Sequence, residues 1–218
     1  NWLQLIGDID FCAETTPDWS HFVGSMVFER KKKSGGNINV IDGQQRLVTF
    51  QLVIFSLIYT YKKYLNSEVK SEDYLKTIEI NIAYLKDLIT NKVLGESQSV
   101  KLNISNANFK RINQLLLDDE QDSLAEMDSM VQTKKKGDDL ILEGFKFFCN
   151  HLNSMDMQKI MKFNKQFLTT RVVTVSSMQE EEVYNIFEIL NARGVKLKQA
   201  ELLKNYMFKY LKPKPCIQ

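Results

Sequence analysis

The six residues Ile41-Asp42-Gly43-Gln44-Gln45-Arg46 place a carboxylate, a glycine, two carboxamides and a guanidinium in little more than one turn of chain. Upstream, Asn37-Ile38-Asn39-Val40-Ile41 alternates polar and apolar residues and then becomes fully apolar, as a strand entering a core does. Downstream, Leu47, Phe50, Gln51, Ile54, Phe55, Ile58 and Tyr61 recur at helical spacing. The pattern predicts a strand that breaks at Asp42-Gly43 and restarts as a helix. Gly43 can take a positive φ without a Cβ clash and lets a ligand approach the backbone. The unpaired N–H groups of the first helical turn would then carry the positive end of the helix dipole. Arg46 falls in or near that turn, where the dipole disfavours a cation, and an anion such as phosphate would remove the conflict. Asp42 could hold a hydrated Mg²⁺ or orient a water, and Gln44 and Gln45 could donate to phosphate oxygens. The plainer alternative, in which Asp42 caps the helix and Arg46 pairs with a surface acid, is left open by spacing alone.

The elements that must position this turn read as follows. Residues 1–12 form a short helix, and Phe22–Arg30 and Asn37–Ile41 form a hairpin closed by Lys31-Lys32-Lys33-Ser34-Gly35-Gly36. That lysine triplet, like Lys134-Lys135-Lys136, could touch DNA phosphates but reads more simply as a solvated loop tip. Leu47 to Tyr61 is a core helix, too short and too interrupted by polar residues to span a bilayer. Asn66–Asp73 is a linker, and the alternation in Tyr74–Ile82 predicts a strand, alone or followed by a helix. A strand is expected at Val100–Ile104, then a helix from Ser105-Asn106 to Leu117. From Gln121 to Phe167 the pattern is helical, with Asp138-Asp139 opening a helix striped by Leu142, Phe145, Phe148, Cys149 and Leu152, and Met155–Phe167 making another. Leu168–Ser176 is a Thr- and Val-rich strand. Glu180-Glu181-Glu182 opens a last helix that ends at Asn191-Ala192-Arg193-Gly194, where a left-handed glycine and a last-turn cation are what a helix C-terminus favours.

Composition narrows the partners. With 44% hydrophobic residues the chain can fill one large core or two small ones, and a net charge of +2 supplies no global basic field, so any DNA contact must be local. Cys12, Cys149 and Cys216 have neither disulfide-framework nor metal-ligand spacing, which suits a reducing cytoplasm. The two histidines, His21 and His151, are too few for a His-Asn-His nuclease centre, and no Gly-x-x-x-x-Gly-Lys-Ser/Thr loop is present. His21, just before a strand, could donate to a phosphate but reads more simply as structural. No signal peptide is visible, and a chain opening on Asn1 is expected to have lost an upstream segment.

The stretch Val40 to Phe50 resembles the DGQQR signature of the N-terminal domain of GmrSD restriction endonucleases and related phage-defence proteins. Other segments follow in the family's order. Asn1-Trp2-Leu3-Gln4-Leu5-Ile6-Gly7-Asp8-Ile9 resembles its Trp-containing helix, and His21-Phe22-Val23-Gly24-Ser25-Met26-Val27 its next strand. Val100-Lys101-Leu102-Asn103-Ile104 with Asn108-Phe109 is similar to the mid-domain strand and helix start. Ile186-Phe187-Glu188-Ile189-Leu190-Asn191-Ala192-Arg193-Gly194-Val195-Lys196-Leu197 and Leu202-Leu203-Lys204-Asn205 look like the second signature. The chain departs from the pattern in lacking a Pro-x-Tyr-Gln-Arg segment before the Trp helix, and in having Leu47-Val48-Thr49-Phe50 in place of Leu-Thr-Thr-Leu.

The resemblance implies an α+β fold: a small mixed β core of ParB/sulfiredoxin-like type with a large helical extension. Residues 1–65 would carry the DGQQR turn, and residues 66–218, with one or two further strands, would pack on the same core. It implies an NTP-binding and hydrolysing domain of a modification-dependent restriction protein, working with Mg²⁺ or another divalent cation. Asp42 would organise the metal or water and, with Arg46, act catalytically. Gly43, Gln44, Gln45, Arg46, Asn191 and Arg193 would bind the nucleotide, with Lys204 and Asn205 as weaker candidates. The expected partners are modified DNA and an HNH-type nuclease domain or subunit, with no membrane. The alternative is a non-enzymatic DNA-binding or adaptor module, in which the turn grips a DNA phosphate or a switching nucleotide.

Overall fold

Strand β1 (Phe22–Arg30) turns back antiparallel into β2 (Ile38–Asp42), as the alternation predicts. The computed structural model describes residues 2–16, 18, 20–30, 38–68, 71–91, 99–118, 121–133, 138–177, 182 and 185–187. Both lysine triplets, Asn191, Arg193, Lys204 and Asn205 lie outside them. The chain forms two compact units, one of Asn1–Ser20 with Arg46–Thr169 and one of His21–Gln45 with Thr170–Gln218.

The second unit is built on a mixed three-stranded sheet of order β2-β1-β5, in which β5 (Arg171–Ser177) runs parallel to β1. At its open end the Arg171 N–H donates to the His21 carbonyl at 2.8 Å. Between Val27 and Phe28 the β1 register jumps from Asp42 to Val40, so β2 carries an extra residue beside Asp42. Such bulges bend a strand and re-aim the side chains next to them. Across one row, Asn39 donates to Glu29 at 2.8 Å, and Ser177, which pairs with Glu29, donates to Glu182 at 2.7 Å.

The first unit is helical: α1 (Trp2–Thr15), α2 (Gln44–Leu65), α3 (Glu72–Ile89), α4 (Ala107–Leu117), α5 (Gln121–Gln132), α6 (Leu140–Asn153) and α7 (Met157–Leu168), with a two-stranded ribbon of β3 (Thr90–Asn91) and β4 (Ser99–Val100). Every residue of α2 from Gln51 to Tyr61 is buried. A helix buried all round is the axis of a bundle. Around it, Phe55 meets Phe109 of α4, Tyr59 meets Phe145 of α6, and Phe50 meets Phe167 of α7 edge-on. Polar residues on this helix are accommodated locally: the Ser56 hydroxyl donates back to the Leu52 carbonyl, and the Tyr59 hydroxyl to Asp128 of α5. Burial and that carboxylate both push the Tyr59 phenol above its ordinary range. Among the described residues no helix is long and apolar enough to cross a membrane.

Three expectations are corrected. Tyr74–Ile82 is neither strand nor strand-then-helix but the first half of α3, because Ile78, Leu85 and Ile89 bury one helical face while the alternating Ile80 stays exposed. Val100–Ile104 is a strand only at its first residue. Ser99–Val100 pairs with Thr90–Asn91, and the Lys101 N–H still reaches the Ile89 carbonyl at 2.9 Å, but the ribbon ends there. The last strand also starts later than expected, since Leu168 completes α7.

Helix ends are tied to one another. Asp139 caps α6 by accepting from the Ile141 and Leu142 N–H groups, and its other oxygen accepts from Asn106 at 3.0 Å and Asn108 at 2.7 Å. Asn106 in turn caps α4 through the Phe109 N–H. Burial alone would raise the Asp139 pKa, but the hydrogen bonds from the two amides and two backbone groups outweigh it and hold the carboxyl below its usual value. Asp139→Ala should therefore cost ~1–2 kcal/mol in urea denaturation at neutral pH. Because the folded pKa is depressed, this contribution is complete above the unfolded aspartate value of ~3.9 and is lost as pH falls through the folded one. The gap between wild type and variant should close in that acid window, and a gap independent of pH would contradict the assignment.

Candidate functional site

Gly43 joins β2 to α2 at φ +90°, with Asp42 closing the strand and Gln44 opening the helix. Two constraints fix a glycine here. The φ itself is unfavourable for any residue with a side chain, and a Cβ would lie 2.6 Å from Met26 Cγ and 3.2 Å from Met26 Cβ. Met26, 2% exposed, thus forms the floor of the turn. On the helical side, the Gln44 carboxamide donates one N–H to the Val40 carbonyl at 2.8 Å, fastening the start of the helix to the strand it leaves. That nitrogen carries a second N–H, and the side chain is exposed.

Gln45 is exposed, and Asp42 and Arg46 are half-buried. No acidic residue occupies the first turn of α2, so no carboxylate within the helix offsets its positive end. Oriented backbone N–H groups, two carboxamides and a guanidinium follow one another over Gly43 to Arg46, with one carboxylate at the strand end. Such a set is chemically able to bind an anion next to a group able to hold a hydrated cation. Chain continuity alone brings Asp42 to Arg46 together. Asn191 and Arg193 lie outside the described residues, and of the second signature only Ile186 and Phe187 are described, both helical, with Phe187 buried.

Other reactive groups have structural surroundings. Burial pushes the Cys149 thiol up to about 12, which removes it as a nucleophile at neutral pH. His151 Nε2 lies 3.0 Å from Asp10 Oδ2, in poor hydrogen-bond alignment. Among the described residues no three His, Cys, Asp or Glu side chains cluster into a metal cage made of protein groups alone. A cleft of ≈ 360 Å³ is lined by Thr60, Lys63 and Tyr64 of α2 and by Leu152, Met155 and Ile160, among others. Thr60 is ~24 Å along α2 from Gln44 at 1.5 Å per residue, so this cleft is not the turn. Sequence reasoning did not find Met26 as the floor, because only the strand register brings it beneath Gly43. By residue type Gln44 is an amide donor to phosphate, whereas its four-residue spacing from Val40 is the available sign of a local clasp.

Over residues 1–208 the chain matches the family described as GmrSD restriction endonuclease, N-terminal domain, and it belongs to that family. Membership places it with GmrSD-like restriction and phage-defence proteins, and implies interaction with DNA and a nuclease domain as partner. No curated protein matches the chain.

Gly43→Ala should lower unfolding stability by ~1–3 kcal/mol through the strained φ and the Met26 contact. Combining it with Met26→Ala should not restore stability, since the added cavity costs on its own and the φ strain remains. Full recovery in the double variant, read by chemical denaturation, would show that φ contributes nothing.

Proposed function

We propose that the turn binds the phosphates of a nucleoside triphosphate and that the domain hydrolyses it as the regulatory part of a modification-dependent restriction protein. The observation that carries this reading is Gly43: a buried glycine at positive φ, packed on Met26, directly before an N-terminus with no acid in its first turn. Such a junction sets the chain so that the N–H groups of the first helical turn are available as donors to an oxygen anion.

In this reading the first-turn N–H groups, Gln44, Gln45 and Arg46 hold phosphate oxygens, and the Gln44 clasp to Val40 keeps the turn in shape before ligand arrives. Pre-set donors cost no reorganisation when charge shifts during phosphoryl transfer. Asp42 orients the attacking water or a water shell around Mg²⁺. A single carboxylate suits Mg²⁺, which keeps most of its waters and takes further oxygens from the phosphates. The divalent ion, when bound, neutralises charge on the transferring phosphoryl group. Asn191 and Arg193 complete the phosphate wall, and an HNH nuclease in a separate domain or subunit cuts modified DNA in response.

Arg46→Ala should weaken nucleotide binding by ~10²-fold in calorimetry, the loss expected for a charge-assisted contact, while circular dichroism stays unchanged. Asp42→Asn should retain most binding but lose phosphate or pyrophosphate release in the presence of Mg²⁺ and modified DNA. Undiminished binding by the arginine variant would sink the site. Normal binding with no turnover by the wild-type protein, with or without DNA, would instead leave a nucleotide switch or DNA-phosphate clamp.

A further inference from the structure

Outside α3 no described element carries more than two exposed large apolar residues: Leu3 and Phe11 lie on α1, and Phe22, Ile38, Leu140 and Val173 each on a different element. Helix α3 is different. Ile80, Tyr84 and Leu88, at spacing i, i+4, i+8, are 59%, 51% and 36% exposed, while the opposite face buries Ile78, Leu85 and Ile89. These three side chains make one continuous line over more than two turns.

We infer that this face of α3 pairs with the same face of a second copy of the chain, antiparallel and about a two-fold axis. Charge placement selects that occupant. Lys76 and Asp87, both exposed, lie eleven residues apart, close to three helical turns, and so fall on the same flank of the apolar line. In an antiparallel two-fold pair, equivalent flanks face each other, and an axis midway between positions 76 and 87 sets Lys76 against Asp87 of the other copy twice over. The same axis interleaves Ile80 with Tyr84 of the second copy. No separate register has to be chosen for the charges and the apolar residues. Antiparallel pairing also opposes the two helix dipoles. The Asp87 main-chain carbonyl accepts Lys101 Nζ at 2.7 Å, which anchors that end of the helix to the segment after β4. An interface with three large apolar side chains per copy is small, so association with a Kd of roughly 10 µM is expected.

The pairing is tested on the 218-residue chain by light scattering after size exclusion, and by sedimentation over a concentration series. Wild type should reach a dimer by about 0.1 mM. Tyr84→Glu should be monomeric there, with an unchanged circular dichroism spectrum because the residue is on the surface. Lys76→Asp and Asp87→Lys should each weaken self-association at least tenfold by placing like charges opposite each other. An equimolar mixture of the two variants should regain a dimer, now mixed, because both cross-pairs are again of opposite sign. A wild-type chain that stays monomeric overturns the inference. So does a dimer indifferent to Tyr84→Glu, or a variant mixture no more associated than its parts, and either would direct the search for a partner of α3 elsewhere.

Discussion

Burial of α2 on all sides is the constraint from which the helical unit follows. Between Gln51 and Tyr61 no face of the helix is left to solvent, so neighbours must cover the whole cylinder, and its large aromatics decide where they pack. Phe55, Tyr59 and Phe50 each take an aromatic partner from a different helix, and Tyr61 has Asn81 of α3 and Asn164 of α7 beside it. A helix held so thoroughly along its middle cannot easily be shifted along its axis. Its first turn, next to Gly43, is the end of a well-anchored rod.

Polar groups within this packing are paired with helix ends more than with one another. Lys62 sends its ammonium to the Leu116 and Asp118 carbonyls at the C-terminal end of α4, and the buried Lys146 reaches the Thr133 carbonyl beyond α5 as well as Glu143. A cation suits the carbonyl-rich end of a helix dipole and supplies donors to groups the helix leaves unpaired. Asp139 does the converse at two N-termini. Hydrophobic burial holds the helices side by side, and these charged caps fix how far each is slid along its neighbour. By contrast, the bidentate Arg111–Glu126 pair is exposed and belongs to the solvated face.

Membership of the GmrSD N-terminal family and the local chemistry of the turn are separate lines of argument. The first says what kind of protein carries this domain, and it rests on a family match over residues 1–208. The second says what the turn can bind, and it rests on a backbone angle, a methionine and the absence of an acid. Nothing in a restriction role requires Gly43 to have positive φ, so the angle bears on the chemistry of the turn and not on the family.

Elements fixed by local pattern were legible in the residues: the hairpin strands, the buried helix after Gly43, the Asn106 and Asp139 caps and the two Phe- and Met-striped helices. Each depends on interactions within a few residues, which spacing and side-chain type express directly. The failures came where a short pattern suits two structures. The Ile-Glu-Ile-Asn-Ile run at residues 78–82 alternates as a strand would, yet lies in α3, because the neighbours available to it cover one helical face rather than one strand face. Around residue 100, a strand was limited by its partner to the two residues that Thr90–Asn91 can pair. The candidate turn divides in the same way. Asp42, Gly43 and Arg46 could be named from sequence because they are neighbours in the chain. The packing of Met26 beneath Gly43, the bulge beside Asp42 and the exposure of the α3 line were decided only in three dimensions, since each depends on which distant segments come to lie against them.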